Sequence, residues 1–178
     1  MSYFNKFPRL AYDMKGNNVR KLLPDILRRV KLRALIKSGG MIFDRYDVKE
    51  GEKPEDVAYK WFGDAELHWV ILMTNNITDR YYGWPMTEVQ FFNYVTDKYA
   101  DIDGIHHYEV TKDSGRTTGQ GPSDYSYLVE VNSDTDNATS ISNRQFEERE
   151  QDKKRQIQLL SKSLLGDFIT EFDRLITE

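Results

Sequence analysis

The spacing of apolar and polar residues changes along the chain. Residues 1–23 form an aromatic and basic N-terminal segment, in which Gly16-Asn17-Asn18 predicts a turn. From residue 24 to about residue 37, apolar residues recur at helical spacing, and Pro24 suits the first turn of a helix. The apolar positions are Ile26, Leu27, Val30, Leu35 and Ile36. Gly39-Gly40 is a typical helix stop, so the pattern predicts one helix in this segment.

Between residues 41 and 99 the pattern predicts one strand and three helices. Residues 41–48 have the composition of a strand. Pro54 suits the first turn of a helix that Gly63 ends, and a second helix follows over residues 64–75. Thr87 and Gln90 have the spacing of a capping box, which predicts a third helix to about residue 99.

The C-terminal half predicts a β-hairpin followed by helices. Strand-like residues 106–112 and 125–131 flank a glycine-rich loop, residues 113–124, as in a hairpin with a long connection. Ser142 and Gln145 repeat the capping-box spacing and predict a charged helix to about residue 160. Apolar residues then recur every three or four positions and define one helix face: Leu164, Leu165, Phe168, Ile169, Phe172, Leu175 and Ile176.

Composition limits the size of the core and the classes of partner. Hydrophobic residues occupy 39% of the 178 positions and charged residues 30%, which indicates a folded chain with a modest core. Aromatic residues reach 13%, and aromatic side chains commonly anchor protein interfaces as well as cores. The net charge of −4 argues against general nucleic-acid binding. No stretch approaches the roughly 20 apolar residues that cross a bilayer.

The sequence predicts neither a metal site nor a cofactor. There is no cysteine, and the first residues lack the apolar run of a signal peptide, so we expect assembly in a reducing cytoplasm. His106 and His107 are neighbours on a predicted strand, where adjacent side chains point to opposite faces. We therefore expect that these two histidines do not share a metal ion.

No catalytic motif is present in the sequence. Many of the 29 acidic residues lie in predicted first turns of helices or beside cations, as in residues 147–155, which favours a solvated helix face with salt bridges. The glycines of residues 115–121 lack the spacing of a phosphate-binding loop, and no nucleophile elbow occurs. We therefore expect a protein that is not an enzyme.

A basic segment near the N-terminus predicts a docking surface. Between residues 20 and 37 seven cations face one acid, Asp25. The cations are Arg20, Lys21, Arg28, Arg29, Lys31, Arg33 and Lys37. A membrane surface, a nucleic acid and an acidic protein face all suit such a segment, but the acidic remainder of the chain favours the protein partner. The alternative is a basic face that only contacts solvent.

Residues 46–77 carry the most specific local pattern. They read Tyr46-x-Val48-x-x-Gly51-Glu52, then Val57-Ala58-x-x-Trp61-Phe62-Gly63, then Trp69-x-Ile71-x-x-x-Asn75-Asn76-Ile77. The predicted helices are too short to be stable alone, so they must pack on each other and on a strand. The pattern resembles a LysM module, a strand–helix–helix–strand unit best known for binding N-acetylglucosamine polymers. Glu52 stands where that family usually has Asp, and the segment after Asn76 departs from its closing strand.

Motifs on both sides extend a resemblance over nearly the whole chain. Phe7-Pro8-x-x-x-Tyr12-Asp13 opens it, and Gly51-Glu52-x-Pro54-Glu55-x-Val57-Ala58 with His68-Trp69-Val70-Ile71-Leu72 forms its centre. Further on stand Ile141-Ser142-Asn143-Arg144-x-Phe146-Glu147 and Lys154-Arg155-x-Ile157-x-Leu159-Leu160. Together these segments resemble the small LysM-bearing baseplate wedge proteins of T-even-type contractile-tailed phages.

That resemblance implies a structural virion protein of the tail baseplate. Such a protein joins neighbouring wedges into a sixfold ring by contacting other baseplate wedge subunits. The resemblance implies no catalytic residues and a LysM-like module reused for protein binding. On the charge and composition given above, we expect no nucleic-acid partner and no membrane partner. A LysM-type peptidoglycan-binding module is the alternative function, and a tail-associated wall hydrolase is a third.

The expected fold is α+β, with a small LysM-like βααβ module, helical N- and C-terminal extensions and a β-hairpin. We expect an N-terminal arm with a basic helix (1–40), the LysM-like module (41–85), a helix and β-hairpin with a long loop (86–140), and a C-terminal helical interaction segment (141–178). The candidate interface residues are Arg28, Arg29, Trp61, Trp69, Tyr81, Tyr82, Trp84, Leu164, Phe168, Phe172 and Ile176. The alternative for the C-terminal stripe is packing against the chain's own domain.

Overall fold

The computed structural model describes residues 3–30, 42–113 and 126–177, and within these ranges it is a mixture of helices and strands. The predicted α+β class is therefore confirmed. The chain divides into two compact units: unit 1 comprises Met1–Pro85 with Lys154–Glu178, and unit 2 comprises Met86–Lys153. Among the helices of the described ranges, none is both long enough and apolar enough to span a bilayer.

The centre of unit 1 is a two-stranded antiparallel sheet covered by short helices. Strand β3 (Phe43–Asp47) pairs with strand β7 (Gln156–Leu160), so Phe43 lies opposite Leu160 and Asp47 opposite Gln156. The predicted strand at residues 41–48 is confirmed at Phe43–Asp47. The predicted charged helix to residue 160 is wrong at its end, because helix stops at Arg155 and β7 follows at once. Alternating burial along β7 is what a strand on a core requires.

Local sequence signals explain the helices of unit 1. Helix α1 (Pro54–Phe62) has Pro54 in its first turn, and Gly63 ends it in the left-handed conformation with φ of 82°. A 3₁₀ turn, Ala65–Leu67, leads into helix α2 (His68–Thr74), so the predicted helix over residues 64–75 is confirmed with a tighter first turn. The segment after Asn76 forms the short helix α3 (Arg80–Gly83).

Two adjoining hydrophobic clusters hold unit 1 together. The first joins α1, α2 and the sheet through Val48, Val57, Ala58, Ile71, Trp84, Ile157 and Leu159. The second joins the N-terminal residues, α2 and helix α6 (Leu165–Thr177) through Phe7, Trp69, Val70, Leu160, Phe172 and Ile176. Helix α6 therefore buries its apolar stripe against unit 1, which is the alternative that the sequence left open for this helix.

The N-terminal arm differs from the prediction. After a 3₁₀ turn at Tyr3–Lys6, strands β1 (Arg9–Tyr12) and β2 (Lys21–Pro24) form an antiparallel hairpin. The predicted turn is confirmed, with Gly16 and Asn18 at positive φ. The predicted helix from residue 24 is wrong over residues 24–30, because Pro24 ends β2 and a turn without helix follows; residues 31–37 and Gly39-Gly40 lie outside the described residues. Strand pairing with Arg9 holds Pro24 extended at the position where the predicted helix was to begin.

Unit 2 contains a three-stranded antiparallel sheet and two helices among its described residues. Strand β4 (Ile105–Asp113) lies between β5 (Ser126–Val131) and β6 (Thr139–Ser142). The predicted hairpin is confirmed, its loop lies outside the described residues, and β6 is an additional strand that the polar turn sequence did not reveal. Helix α4 (Glu88–Lys98) begins at the predicted capping box, and helix α5 (Asn143–Arg155) begins at the second one.

Candidate protein-interaction site

A buried and well-connected carboxylate of unit 1 belongs to Glu52, which is 8% exposed. It accepts hydrogen bonds from the Tyr46 hydroxyl at 2.9 Å, from Lys60 Nζ at 2.5 Å and from the backbone N–H of Lys49 at 3.1 Å. Trp84 Nε1 donates to the Glu52 carbonyl oxygen at 2.8 Å. Glu52 thus ties the β3–α1 turn to the core, and its oxygens are engaged within the protein.

Glu52 also makes the stability of unit 1 depend on pH. Burial alone raises the pKa of Glu52, but the Lys60 ammonium, the Lys49 N–H and the Tyr46 hydroxyl together lower that pKa below its ordinary value of 4.5. Because the folded pKa is lowered, the stabilisation is fully present above 4.5 and is lost as pH falls from there through the folded pKa.

We expect Glu52→Gln to reduce the free energy of unfolding by about 1–3 kcal/mol at neutral pH, because charged hydrogen bonds are lost. At acidic pH the difference from the wild type should shrink as pH falls through the lowered folded pKa, since the wild-type carboxyl then becomes protonated as well. Urea denaturation followed by circular dichroism at neutral and at acidic pH measures this. Glu50→Gln is the control, since Glu50 is exposed and its ion pair with Arg155 lies at the surface. A pH dependence unchanged by Glu52→Gln would contradict this role.

Unit 2 has a buried carboxylate of its own. Glu147 is 3% exposed and accepts hydrogen bonds from Lys98 Nζ at 2.6 Å and from the Tyr99 hydroxyl at 2.8 Å. A hydrogen bond to Glu147 raises the pKa of Lys98, so Lys98 stays protonated at neutral pH. The prediction of a solvated salt-bridged face over residues 147–155 is therefore wrong for Glu147, and it is correct for the exposed Lys153, which pairs with the partly buried Glu150.

The two adjacent histidines come together, contrary to expectation. Their Nδ1 atoms lie 2.8 Å apart because an irregularity in the β4–β6 register between Ile105 and His107 breaks the alternation of side chains. His107 Nε2 lies 2.8 Å from Glu109, which also accepts from Arg149 at 2.6 Å, and His106 stacks on Phe146. In the described part of the chain, no group of three or more acidic or histidine side chains is placed to hold a metal ion.

The N-terminal hairpin of unit 1 carries several exposed apolar side chains. Every residue of β1 is exposed, and β2 is exposed except for a partly buried Leu23. Its large apolar side chains are exposed by 37% to 66%: Leu10, Tyr12, Met14, Val19 and Leu22. A two-stranded hairpin is marginally stable in water unless another element covers a face of it. This hairpin therefore presents an apolar surface that suits a protein partner.

An open groove of about 500 Å³ lies beside the hairpin residues of unit 1 and is lined mainly by apolar side chains. The buried aromatic rings of Phe7 and Trp69 form part of it, and Tyr3 packs against both, with ring centroids 4.9 Å and 5.3 Å away. Arg28 and Arg29 also line the groove. Burial raises the pKa of Tyr3 and the Arg29 cation opposes that rise, which places positive charge close to the aromatic rings.

The predicted interface residues fall into three groups. Trp69, Trp84, Phe172 and Ile176 are buried within unit 1 and serve its core. Trp61, Leu164 and Phe168 are partly buried, and Trp61 Nε1 donates to the Leu160 carbonyl oxygen at 2.9 Å. Arg28, Arg29, Tyr81 and Tyr82 are exposed, Tyr81 by 81%. The structure thus brings the two arginines together at the groove, while a contact of any of these residues with a partner stays a prediction.

Sequence reasoning missed the hairpin residues as candidates. The sequence does contain a signal for an interaction surface, because Leu10, Tyr12 and Leu22 lie among cations within a turn-containing segment. Short strands without a long alternating run are, however, easily interpreted as irregular structure. The structure adds Leu10, Tyr12 and Leu22 to the candidates, since each is exposed on a strand.

Comparison with known proteins identifies the family of this chain. The model of the family described as base plate wedge protein 53 matches residues 2–117. Baseplate wedge protein gp53 of Enterobacteria phage T4 is 24% identical over 195 residues, which cover 98% of this chain and 94% of the T4 protein. These matches favour a structural role over the glycan-binding alternative. Because the family model covers more than half of the residues, this chain belongs to the base plate wedge protein 53 family.

Proposed function

We propose that this chain, a structural component of the phage tail baseplate wedge, works by joining neighbouring wedge subunits in a sixfold ring through exposed surfaces of unit 1. The observation that carries the proposal is the family match over residues 2–117, together with a T4 relative that aligns over 98% of the chain. In this proposal the chain binds proteins and performs no catalysis.

The N-terminal hairpin supports the proposal. It exposes Leu10, Tyr12 and Leu22 beside the cations Arg9 and Lys21, a mixture that suits a protein interface with a charged rim. Burying such apolar side chains against a neighbour stabilises both the hairpin and the contact, at about 25 cal/mol per Å² of apolar surface. The hairpin thus orders fully when the neighbouring subunit covers it.

The LysM-like module, residues 41–85, acts in this proposal as a protein-binding scaffold. Glu52, at the acidic position of the LysM-like pattern, is engaged by Tyr46, Lys60 and Lys49, so that carboxylate supports the scaffold. The exposed Tyr81 and Tyr82 offer aromatic anchors on the same module. In this proposal different neighbours contact different segments of the chain: the arm (1–40), the helix and hairpin (86–140) and the C-terminal segment (141–178).

We expect Leu22→Asp to lower incorporation of this chain into baseplate wedges by at least about tenfold, because a carboxylate on the hairpin would be buried unpaired at the interface. The measurement adds purified full-length chain to wedge complexes made without it, then quantifies the bound chain after gradient sedimentation. Leu22 is 66% exposed, so the variant should melt at the wild-type temperature.

Leu128→Asp is the matched control, since Leu128 is an exposed apolar strand residue of unit 2, 56% accessible. It should leave incorporation unchanged if the hairpin is the contact. Equal loss for both variants would remove the hairpin from the interface, and failure of the wild-type chain to join any wedge complex would overturn the proposed function.

A further inference from the structure

The groove of unit 1 combines an apolar lining with one sign of charge. Its lining includes the aromatic residues Tyr3, Phe7 and Trp69. Phe4 and Leu27 also line it, and their side chains are 54% and 89% exposed. Its charged lining residues are Arg28 and Arg29, and no carboxylate is found among the described residues that line it. An occupant therefore needs an apolar group for the rings and negative charge for the arginines.

The charge distribution along the chain agrees with that requirement. Residues 1–30 contain seven Lys or Arg and two Asp, a net charge of +5, so the remaining residues carry −9 of the total of −4. Arg28 already makes two hydrogen bonds within the protein: its Nη1 donates to the Ile176 carbonyl oxygen at 3.1 Å and its Nε donates to Asp25 at 3.3 Å. Arg29, the next residue in the chain, is exposed, and it lines the groove together with Tyr3.

Trp69, which lines the groove, carries a buried indole N–H that lacks an acceptor among the described residues. Trp69 is 5% exposed, and within the described residues its Nε1 has no hydrogen-bond partner. By contrast, Trp61 Nε1 and Trp84 Nε1 both donate to backbone carbonyl oxygens. Buried indole N–H groups are normally satisfied, so an acceptor supplied from outside would complete this one.

We propose that this groove binds an acidic segment of a neighbouring wedge subunit, with one large apolar side chain against Phe7 and Trp69 and a carboxylate paired with Arg29. The inference rests on the proposed function and names the surface and the partner chemistry that it uses. The arginine guanidinium suits this pairing because it holds a carboxylate in a fixed planar geometry.

The test uses isotope-labelled full-length chain and an acidic peptide, Glu-Glu-Leu-Phe-Glu-Glu-Leu, followed by amide and indole resonances in NMR titrations. We expect binding with a Kd of about 1 mM or tighter, with the largest changes at the Trp69 indole N–H. The same peptide with Lys for Glu, or with Ala for Leu and Phe, should bind at least about tenfold more weakly, because charge or the apolar anchor is missing.

Arg29→Glu should weaken binding of the acidic peptide by about tenfold or more, whereas Lys112→Glu, an equal change of charge at an exposed site in unit 2, should alter it less than about twofold. Leu27→Asp gives a second variant at a highly exposed lining position. Amide spectra of each variant report whether it remains folded.

Three results would overturn the proposal. They are equal binding of acidic and basic peptides, shifts confined to residues outside the groove, and self-association of the chain that Arg29→Glu abolishes, which would make a second copy the occupant. The proposed function is tested separately in the sedimentation assay. If the Arg29→Glu variant still enters wedge complexes there, the groove is not part of the interface, and the structural role of the chain is unaffected.

Discussion

Phe172→Asp is expected to unfold unit 1. The Phe172 side chain is 2% exposed, and its ring centroid lies 4.6 Å from that of Trp69 within the second cluster. Truncating a buried Phe to Ala alone costs about 3–5 kcal/mol, and a buried carboxylate without a partner adds to that cost. Because small domains are stable by only about 5–15 kcal/mol, the loss is large. Circular dichroism during urea denaturation measures it.

Leu175→Asp on the same helix is the matched control, since Leu175 is 37% exposed and its carboxylate would reach water. We expect a loss of less than about 1 kcal/mol for that variant. If Phe172→Asp instead kept the wild-type stability and lost only its incorporation into wedges, helix α6 would be an interface helix and its placement in the core would be wrong.

Ending the chain after Lys153 should prevent unit 1 from folding at all. The truncation removes β7, the hydrogen-bonding partner of β3, and it removes helix α6. The first cluster loses Ile157 and Leu159, and the second loses Leu160, Phe172 and Ile176. What remains is the unpaired strand β3, short helices and the exposed β1–β2 hairpin, which is too little to be stable in water. Amide NMR spectra should show collapsed dispersion for residues of unit 1.

A pair of substitutions separates the loss of core from the loss of chain length. Ile157→Asp places a carboxylate at a position 3% exposed and should cost several kcal/mol, roughly as a large core truncation does. Gln156→Asp changes the exposed neighbour on the same strand and should be close to neutral. A truncated chain that gives a native-like spectrum for α1 and α2 would show that β7 is dispensable.

Elements with local signals could be predicted from the sequence. Helix α1 begins at Pro54 and ends at Gly63 because the proline ring and the left-handed glycine act on their own turns. Helices α4 and α5 begin where Thr87 with Gln90, and Ser142 with Gln145, exchange hydrogen bonds across one turn. These interactions span three residues, so the order of residues suffices to find them.

Elements that depend on distant partners could not be predicted. Gln156–Leu160 follows a charged helix without a break, and it becomes a strand because Phe43–Asp47 offers an edge. Pro24 reads as a helix start, but pairing with Arg9 extends it. Likewise His106 and His107 meet through a register irregularity that depends on β6. Each of these structures depends on a residue distant in sequence, and the periodicity of the local sequence does not identify that residue.

The candidate surface was predicted in part. Arg28 and Arg29 stood out as a basic pair and do line the groove. Trp69 and Phe172 were chosen for size and aromatic character, which marks cores and interfaces equally, and burial places both in the core. Only the three-dimensional arrangement shows that Tyr3 and Phe7, far from Trp69 in sequence, share one groove with it.

The pairing of β3 with β7 has a consequence for how the chain is made. Between Asp47 and Gln156 lie 108 residues, so a ribosome adding about 5–20 residues per second needs roughly 5–20 seconds to supply the missing strand. During that delay the nascent chain exposes a bare sheet edge and apolar α1 residues such as Val57. Unit 2, whose strands all lie between, is translated completely first. Chaperone holding of the emerging polypeptide is therefore expected to matter for its yield in infected cells.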